Sequence, residues 1–142
     1  MSTRKSIEKE RMSFSYDFVK GNISDKTDAK KFEAYVQKVP AFIMTNGLGN
    51  TLAYLTTQKD EQWKNVQKVV CEWLKQVDNP LRERLESTDG ILENVLEIMK
   101  DNDFHDREYR AVTVEILALF NWLRRFAKAH RLTFDSKMEN DG

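Results

Sequence analysis

One segment of this 142-residue chain constrains the fold more than any other. Between residues 38 and 55 the sequence reads KVPAFIMTNGLGNTLAYL, where an apolar run with helical spacing stops at Asn46-Gly47 and restarts after Gly49. An Asn-Gly pair readily closes a helix, because glycine adopts positive φ without strain. The segment therefore predicts two helices joined by a tight corner.

Apolar side chains three and four residues apart recur along the rest of the chain and predict further helices. A first helix ends at Gly21-Asn22, a second starts at Thr27 or Asp28 and is kinked or broken at Pro40, and Asn50 or Thr51 caps a third. Asp60 caps a fourth that ends at Asn79-Pro80, another opens at Ser87, Thr88 or Asp89, and the longest runs from about Asp106 to His130.

Strand alternation and hairpin signals are missing, so the predicted fold is all-α. We expect one compact bundle of six or seven helices over residues 1–131, with the long C-terminal helix at its centre. Residues 132–142 are predicted to form a disordered tail.

Composition narrows the class of protein. Hydrophobic residues make up 40% of the chain and charged residues 32%, which is typical of a folded globular domain. No apolar run reaches the ~20 residues of a membrane span, and the N-terminus lacks a signal sequence, which predicts a cytoplasmic location without membrane contact. Cys71 is the only cysteine, so no disulfide forms within the chain.

The net charge is zero, but the charges are segregated. Residues 78–108 hold ten acidic against four basic residues, a balance of −6. Residues 109–131 hold five basic residues against Glu115, a balance of +4. Separate patches of opposite sign favour docking on neighbouring subunits over binding of free nucleic acid.

Motifs for catalysis or cofactor binding are incomplete. His105-Asp106 matches the metal-binding dipeptide of all-helical phosphohydrolases, but the only other histidine, His130, lies downstream, where it cannot complete that ligand set. Asp101 and Asp103 imitate a calcium loop that lacks its glycine and its bidentate glutamate. We therefore predict no enzymatic activity, metal, cofactor or small-molecule substrate.

The last predicted helix carries a basic run that has two interpretations. Arg124, Lys128 and Arg131 share a face, which could meet phosphates, but cations also gather at helix C-termini to offset the dipole. Spacing alone favours the second interpretation. Trp122 and Phe126, four residues apart, are predicted to be core rather than a platform for stacked bases.

Two stretches, VPAFIMTNGLGNTLAYL and YRAVTVEILALFNWLRRFAKA, are similar to the signature stretches of the small, fifth subunit of the type III-B CRISPR effector, the Cmr complex. Their order, their separation and the chain length agree with that family. The resemblance extends from the first helix to Ala129 and is weakest between Gln58 and Asp103.

The resemblance implies a non-catalytic subunit that stacks in several copies beside the subunits carrying the CRISPR RNA and supports target RNA binding in antiviral defence. Its partners would be other Cmr subunits, copies of itself, CRISPR RNA and target RNA. The expected contact residues are Arg110, Arg124, Arg125 and Lys128. The alternative is a free-standing helical adaptor that binds a protein and never meets RNA.

Overall fold

A computed structural model describes the backbone of residues 4–141 and the side chains of residues 6–136. Over this range the chain forms helices and no strands, which confirms the predicted all-α class. The helices are α1 (Arg4–Asn22), α2 (Lys26–Asn46), α3 (Leu48–Thr56), α4 (Glu61–Gln76), α5 (Arg82–Leu85), α6 (Leu92–Met99) and α7 (Asp106–Asp141).

The long helix α7 packs its apolar side against the rest of the bundle. One side of it packs against α1 and α2, while α2 also contacts α3 and α4, and α6 closes the core against α3 and α4. The buried apolar residues of α7 recur every three or four positions, with Leu119 and Phe120 side by side, so they form one broad inward face. They are Val112, Ile116, Leu119, Phe120, Leu123 and Ala127.

Helix α2 differs from the prediction at its start and in its middle. Its N-cap is Asp25, whose side chain accepts a hydrogen bond from Asp28 N at 2.8 Å. Thr27 and Asp28, the predicted caps, lie inside the first turn. Pro40 is accommodated within the helix and does not end it. The proline removes one backbone hydrogen bond, to Val36 O, and the buried face of α2 on either side of it keeps the helix in place.

Helix α7 also continues beyond its predicted end at His130, through the segment predicted to be a disordered tail. Arg131 pairs with both Glu33 and Asp135, and Asp135 in turn pairs with Lys26 at 3.5 Å. These ion pairs fasten the first turns of the predicted tail to the N-terminal half of α2. Tertiary partners on another helix therefore extend α7, and such partners are not visible in the local sequence.

Candidate interaction surface on the last helix

The predicted corner is present, and it joins the two signature stretches. Gly47 ends α2 and precedes α3 with φ 84° and ψ 162°, so the predicted positive φ is confirmed. Its N–H donates to Ile43 O at 2.8 Å, and Asn46 is the last residue of α2. Gly49 N donates to the Tyr109 hydroxyl at 2.7 Å. A Cβ on Gly49 would lie 3.3 Å from that oxygen, so glycine permits the close approach of α7.

The predicted caps of α3 have another role. Asn50 and Thr51 lie inside α3, and their side chains donate back to Asn46 O at 3.0 Å and Gly47 O at 2.9 Å. Both bonds satisfy carbonyls at the end of α2 or in the corner. The two residues therefore brace the corner rather than cap the helix that follows it.

A buried ion pair that the sequence patterns did not predict holds α1, α4 and α7 together. Arg11 donates from Nε and Nη2 to the two carboxylate oxygens of Glu115, at 2.8 and 2.9 Å. Trp73 Nε1 donates to the same carboxylate at 3.1 Å. A signal was present in the sequence: Arg11 lies on the apolar face of the first helix, and Glu115 is the single acid of the basic segment.

This pair changes the charge of the surface of α7. The negative charge of Glu115 is paired with Arg11 in the interior, so it does not offset the cations on the exposed side of α7. The charge of Arg131 is likewise balanced, by Glu33 and Asp135. What remains on α7 after these pairs are formed is a set of cations that includes all four predicted contact residues.

The four predicted contact residues differ in exposure. Arg110, Arg125 and Lys128 are exposed, and Arg124 is partly buried. None of them forms an ion pair with another residue that the structure describes. The Arg124 Nε atom is buried without a hydrogen-bond partner in that part of the chain. Their charges are therefore not satisfied within the described fold.

Along the axis of α7 these cations form two groups: Arg110 alone near the N-terminal end, and Arg124, Arg125 and Lys128 together further along. Arg110 and Lys128 are eighteen residues apart, which is five full turns at 3.6 residues per turn, so they lie on one line about 27 Å apart. Arg124 and Arg125 lie within about a turn of Lys128. The exposed side chains along this line are Arg110, Val114, Asn121, Arg125 and Lys128.

Trp122 does not lie where it was predicted. Its side chain is partly exposed and stacks on Phe126, with ring centroids 6.0 Å apart and planes 19° apart. Phe126 also meets Tyr16 of α1 edge-on at 5.6 Å. On the helical wheel Trp122 falls at the edge of the inward face, whereas Leu119 and Leu123 occupy its centre. The prediction that Trp122 is a buried core residue is therefore wrong.

The histidines lie far apart. His105 and Asp106 are exposed at the start of α7, where His105 N donates to the Glu108 carboxylate at 3.0 Å. His130 lies twenty-five residues further along, about 37 Å away along the helix axis, with Nε2 2.6 Å from Ile23 O. Over the described residues no group of three or more His, Cys, Asp or Glu side chains is placed to hold a metal ion.

None of the helices in the described part of the chain has the length and apolarity needed to cross a membrane.

Cys71 is expected to be unreactive in the folded protein. Burial raises the pKa of its thiol to about 12, and Lys75 only partly opposes that shift. At pH 8 the folded protein should hold about a thousandfold less thiolate than the unfolded chain, whose cysteine has a pKa of ~8.5. Alkylation by iodoacetamide, followed by mass spectrometry, should be correspondingly slow without denaturant.

The same pKa predicts a loss of stability in alkali. Because the folded-state pKa is raised, the contribution of Cys71 is intact below about pH 8.5 and is lost as pH rises towards 12. A Cys71→Ser variant provides the control for other titrating groups. Equal alkylation rates in native and denatured protein would contradict the buried thiol.

The fold and this surface define a small helical protein whose longest helix presents cations that pair with no acid among the described residues. The family model described as CRISPR-associated protein (Cas_Cmr5) matches residues 7–130. The chain belongs to this CRISPR-associated Cmr5 family.

Among solved structures, the chain is similar to the X-ray crystal structure of a CRISPR-associated Cmr5 family protein from Thermus thermophilus. The TM-score is 0.62 and the identity 22%, over 91% of this chain and 97% of that chain. At this identity the match establishes a shared fold, while family membership follows from the family model. Membership confirms the resemblance to the small subunit of the type III-B complex, and it favours a complex subunit over a free-standing adaptor.

Proposed function

We propose that this protein is a non-catalytic structural subunit of a type III-B CRISPR ribonucleoprotein. Several copies stack beside the subunits that carry the guide RNA, and together they support target RNA binding in antiviral defence in the cytoplasm. The observation that carries the proposal is the set of unpaired cations on α7, Arg110, Arg124, Arg125 and Lys128, in a chain with zero net charge.

The C-terminal group of these cations suits contact with an RNA backbone. Arg124, Arg125 and Lys128 occupy little more than one turn, with Arg124 and Arg125 pointing to either side of Lys128 around the helix. In an RNA-guided complex base pairing reads the sequence, and protein contacts the backbone and shape of the duplex. A few placed cations on each of several stacked copies are enough for that role.

The absence of enzymatic activity is part of the proposal. It is supported by the incomplete motifs of the sequence and by the separation of His105 from His130. In this role cleavage belongs to other subunits, and the chain needs neither a cofactor nor a small-molecule substrate.

Reversal of the two exposed cations of the C-terminal group, Arg125 and Lys128, is expected to weaken RNA binding in the assembled complex. Removal of one phosphate contact should flatten the log-log salt dependence of affinity by ~0.7 for single-stranded RNA or ~0.9 for a duplex. The variant Arg125→Glu/Lys128→Glu should therefore reduce the slope by about 1.4 to 1.8 for each copy that contacts the RNA, without changing sequence preference. Filter binding by reconstituted complexes over a salt series measures both affinity and slope.

The matched control is Lys59→Glu/Lys64→Glu, an equal charge change at two exposed lysines away from α7. It should retain the wild-type slope. If both variants bind target RNA with wild-type affinity and slope at equal subunit content, the proposed RNA contact is wrong. The cations would then be ordinary solvated side chains, because α7 continues to Asp141 and its C-terminal dipole lies beyond them.

A further inference from the structure

Three aromatic rings meet where α1 packs against the C-terminal half of α7. Tyr16 of α1 contacts Phe126 edge-on, with ring centroids 5.6 Å apart, and Trp122 stacks on Phe126 at 6.0 Å. Tyr16 is 45% exposed, and Trp122 and Phe126 are partly exposed. We call these three side chains the aromatic cluster, and it presents ring surface to solvent.

A pocket of about 260 Å³ opens beside the aromatic cluster. Tyr16 and Phe126 form part of its wall, and Lys20, Ala129 and His130 are among the other residues that line it. No aspartate or glutamate is among the described residues of its lining. The pocket therefore offers aromatic rings and a cation without a negative charge.

Two exposed cations border the pocket, one from each helix. Lys20 Nζ lies 5.2 Å from the centroid of the Tyr16 ring, and Arg125 lies one turn from both Trp122 and Ala129. Neither cation forms an ion pair with an acid among the described residues. A cation–π contact at an exposed site is weak, so Lys20 can exchange the ring for a phosphate at small cost.

Aromatic rings beside cations suit an unpaired nucleotide. The faces of an unstacked base are free to stack on aromatic side chains, while its neighbouring phosphates meet cations. A base inside a duplex is already stacked on both faces and cannot enter a pocket in this way. An acidic protein segment would satisfy the cations, but its carboxylates offer no flat ring to the exposed aromatic faces.

We infer that the aromatic cluster and its pocket bind one unpaired base of single-stranded RNA, with Lys20 and Arg125 on the flanking phosphates. The inference rests on the proposed function only in taking RNA as the partner of the Arg125 side of α7. It adds a contact with a base, whereas the contacts proposed above for Arg124, Arg125 and Lys128 are with the RNA backbone.

Fluorescence anisotropy of labelled RNA with the full chain at low salt tests the pocket. Single-stranded oligouridylate should bind more tightly than an RNA duplex of equal length, although the duplex has the higher charge density. An abasic oligoribonucleotide of the same length keeps every phosphate and lacks the bases. It should bind about fivefold or more weakly than oligouridylate, the smallest effect expected for the loss of one base stack.

Tyr16→Leu keeps an apolar side chain at the pocket and removes its ring, so it should weaken oligouridylate binding about fivefold or more. The slope of log affinity against log salt should keep its wild-type value, because no phosphate contact is lost. Tyr16→Phe retains the ring and should bind like wild type. The matched control is Tyr54→Leu on α3, where the tyrosine is 43% exposed, and it should also bind like wild type.

Thermal unfolding verifies that every variant is folded. The inference is overturned if wild type does not bind oligouridylate, if the duplex or the abasic RNA binds as tightly, or if Tyr16→Leu keeps wild-type affinity. A Tyr16→Leu protein that binds oligouridylate normally but fails to enter the reconstituted complex would assign the cluster to a protein partner instead.

The two proposals fail separately. The proposed backbone contact fails if the complex with Arg125→Glu/Lys128→Glu keeps the wild-type salt slope. The base contact fails on the affinities of Tyr16→Leu and of abasic RNA, which are measured on the chain alone.

Discussion

Replacing Glu115 by alanine is expected to destabilise the protein by about 3 to 5 kcal/mol, the range for removing one partner of a buried ion pair. The substitution leaves the Arg11 guanidinium without its bidentate acceptor and the Trp73 indole N–H without its acceptor. The side chains of Arg11 and Glu115 are 18% and 11% exposed, so water is a poor replacement for the carboxylate. Urea unfolding followed by tryptophan fluorescence measures the change in stability.

The double variant Arg11→Met/Glu115→Leu removes the charge of Arg11 together with that of Glu115 and keeps apolar side chains at both positions. It therefore distinguishes the cost of leaving Arg11 unpaired from the cost of losing side-chain volume. Apolar side chains of similar volume often replace a buried pair at little cost, so the double variant should be markedly more stable than Glu115→Ala. A destabilisation below about 1 kcal/mol in Glu115→Ala would mean that the pair is solvated like a surface salt bridge. In that case the register of α1 on α7 would be set by the apolar contacts alone.

Replacing Gly47 by valine is expected to cost about 1 to 3 kcal/mol, from backbone strain and not from collision. At φ 84° and ψ 162° Gly47 occupies a region that residues with a Cβ rarely adopt. A Cβ at this position would lie 3.6 Å from the Tyr109 hydroxyl, an ordinary contact, so the Cβ itself does not collide. The free energy of unfolding from urea titration is the relevant measurement.

Gly21→Val is the matched control for this corner. Gly21 lies near the end of α1 with open space around it and without a positive φ, so the same substitution should change stability little. If the two variants are destabilised equally, the corner tolerates a side chain and the conformation of Gly47 is not the reason for glycine at this position.

The local sequence determined the helical character of the chain and several helix ends. Three- and four-residue spacing predicted the helices, Gly47 ended α2 as expected, and Asp60 caps α4 by accepting from Gln62 N at 2.9 Å. These features depend on interactions within a few residues, which sequence patterns record. The two signature stretches also identified the family, which the family model confirms.

The candidate surface was predicted in part. The positions of Arg110, Arg125 and Lys128 on the outward side of α7 agree with helical spacing, but the sequence showed no difference between these cations and Arg131. Only the fold brings Glu33 of α2 to Arg131 and leaves the others unpaired among the described residues. Their contact with RNA or a neighbouring copy remains a prediction.

Tertiary structure alone decided the features that join distant parts of the chain. Arg11 and Glu115 are 104 residues apart, and Gly49 and Tyr109 are 60 apart, so a local pattern can mark one residue as unusual but cannot identify its partner. Trp122 had the spacing of a core residue, yet the packing of α1 and α2 against α7 leaves it at the edge of the buried face. Periodicity determines which residues share a side of a helix, but how far that side is covered depends on where the other helices pack.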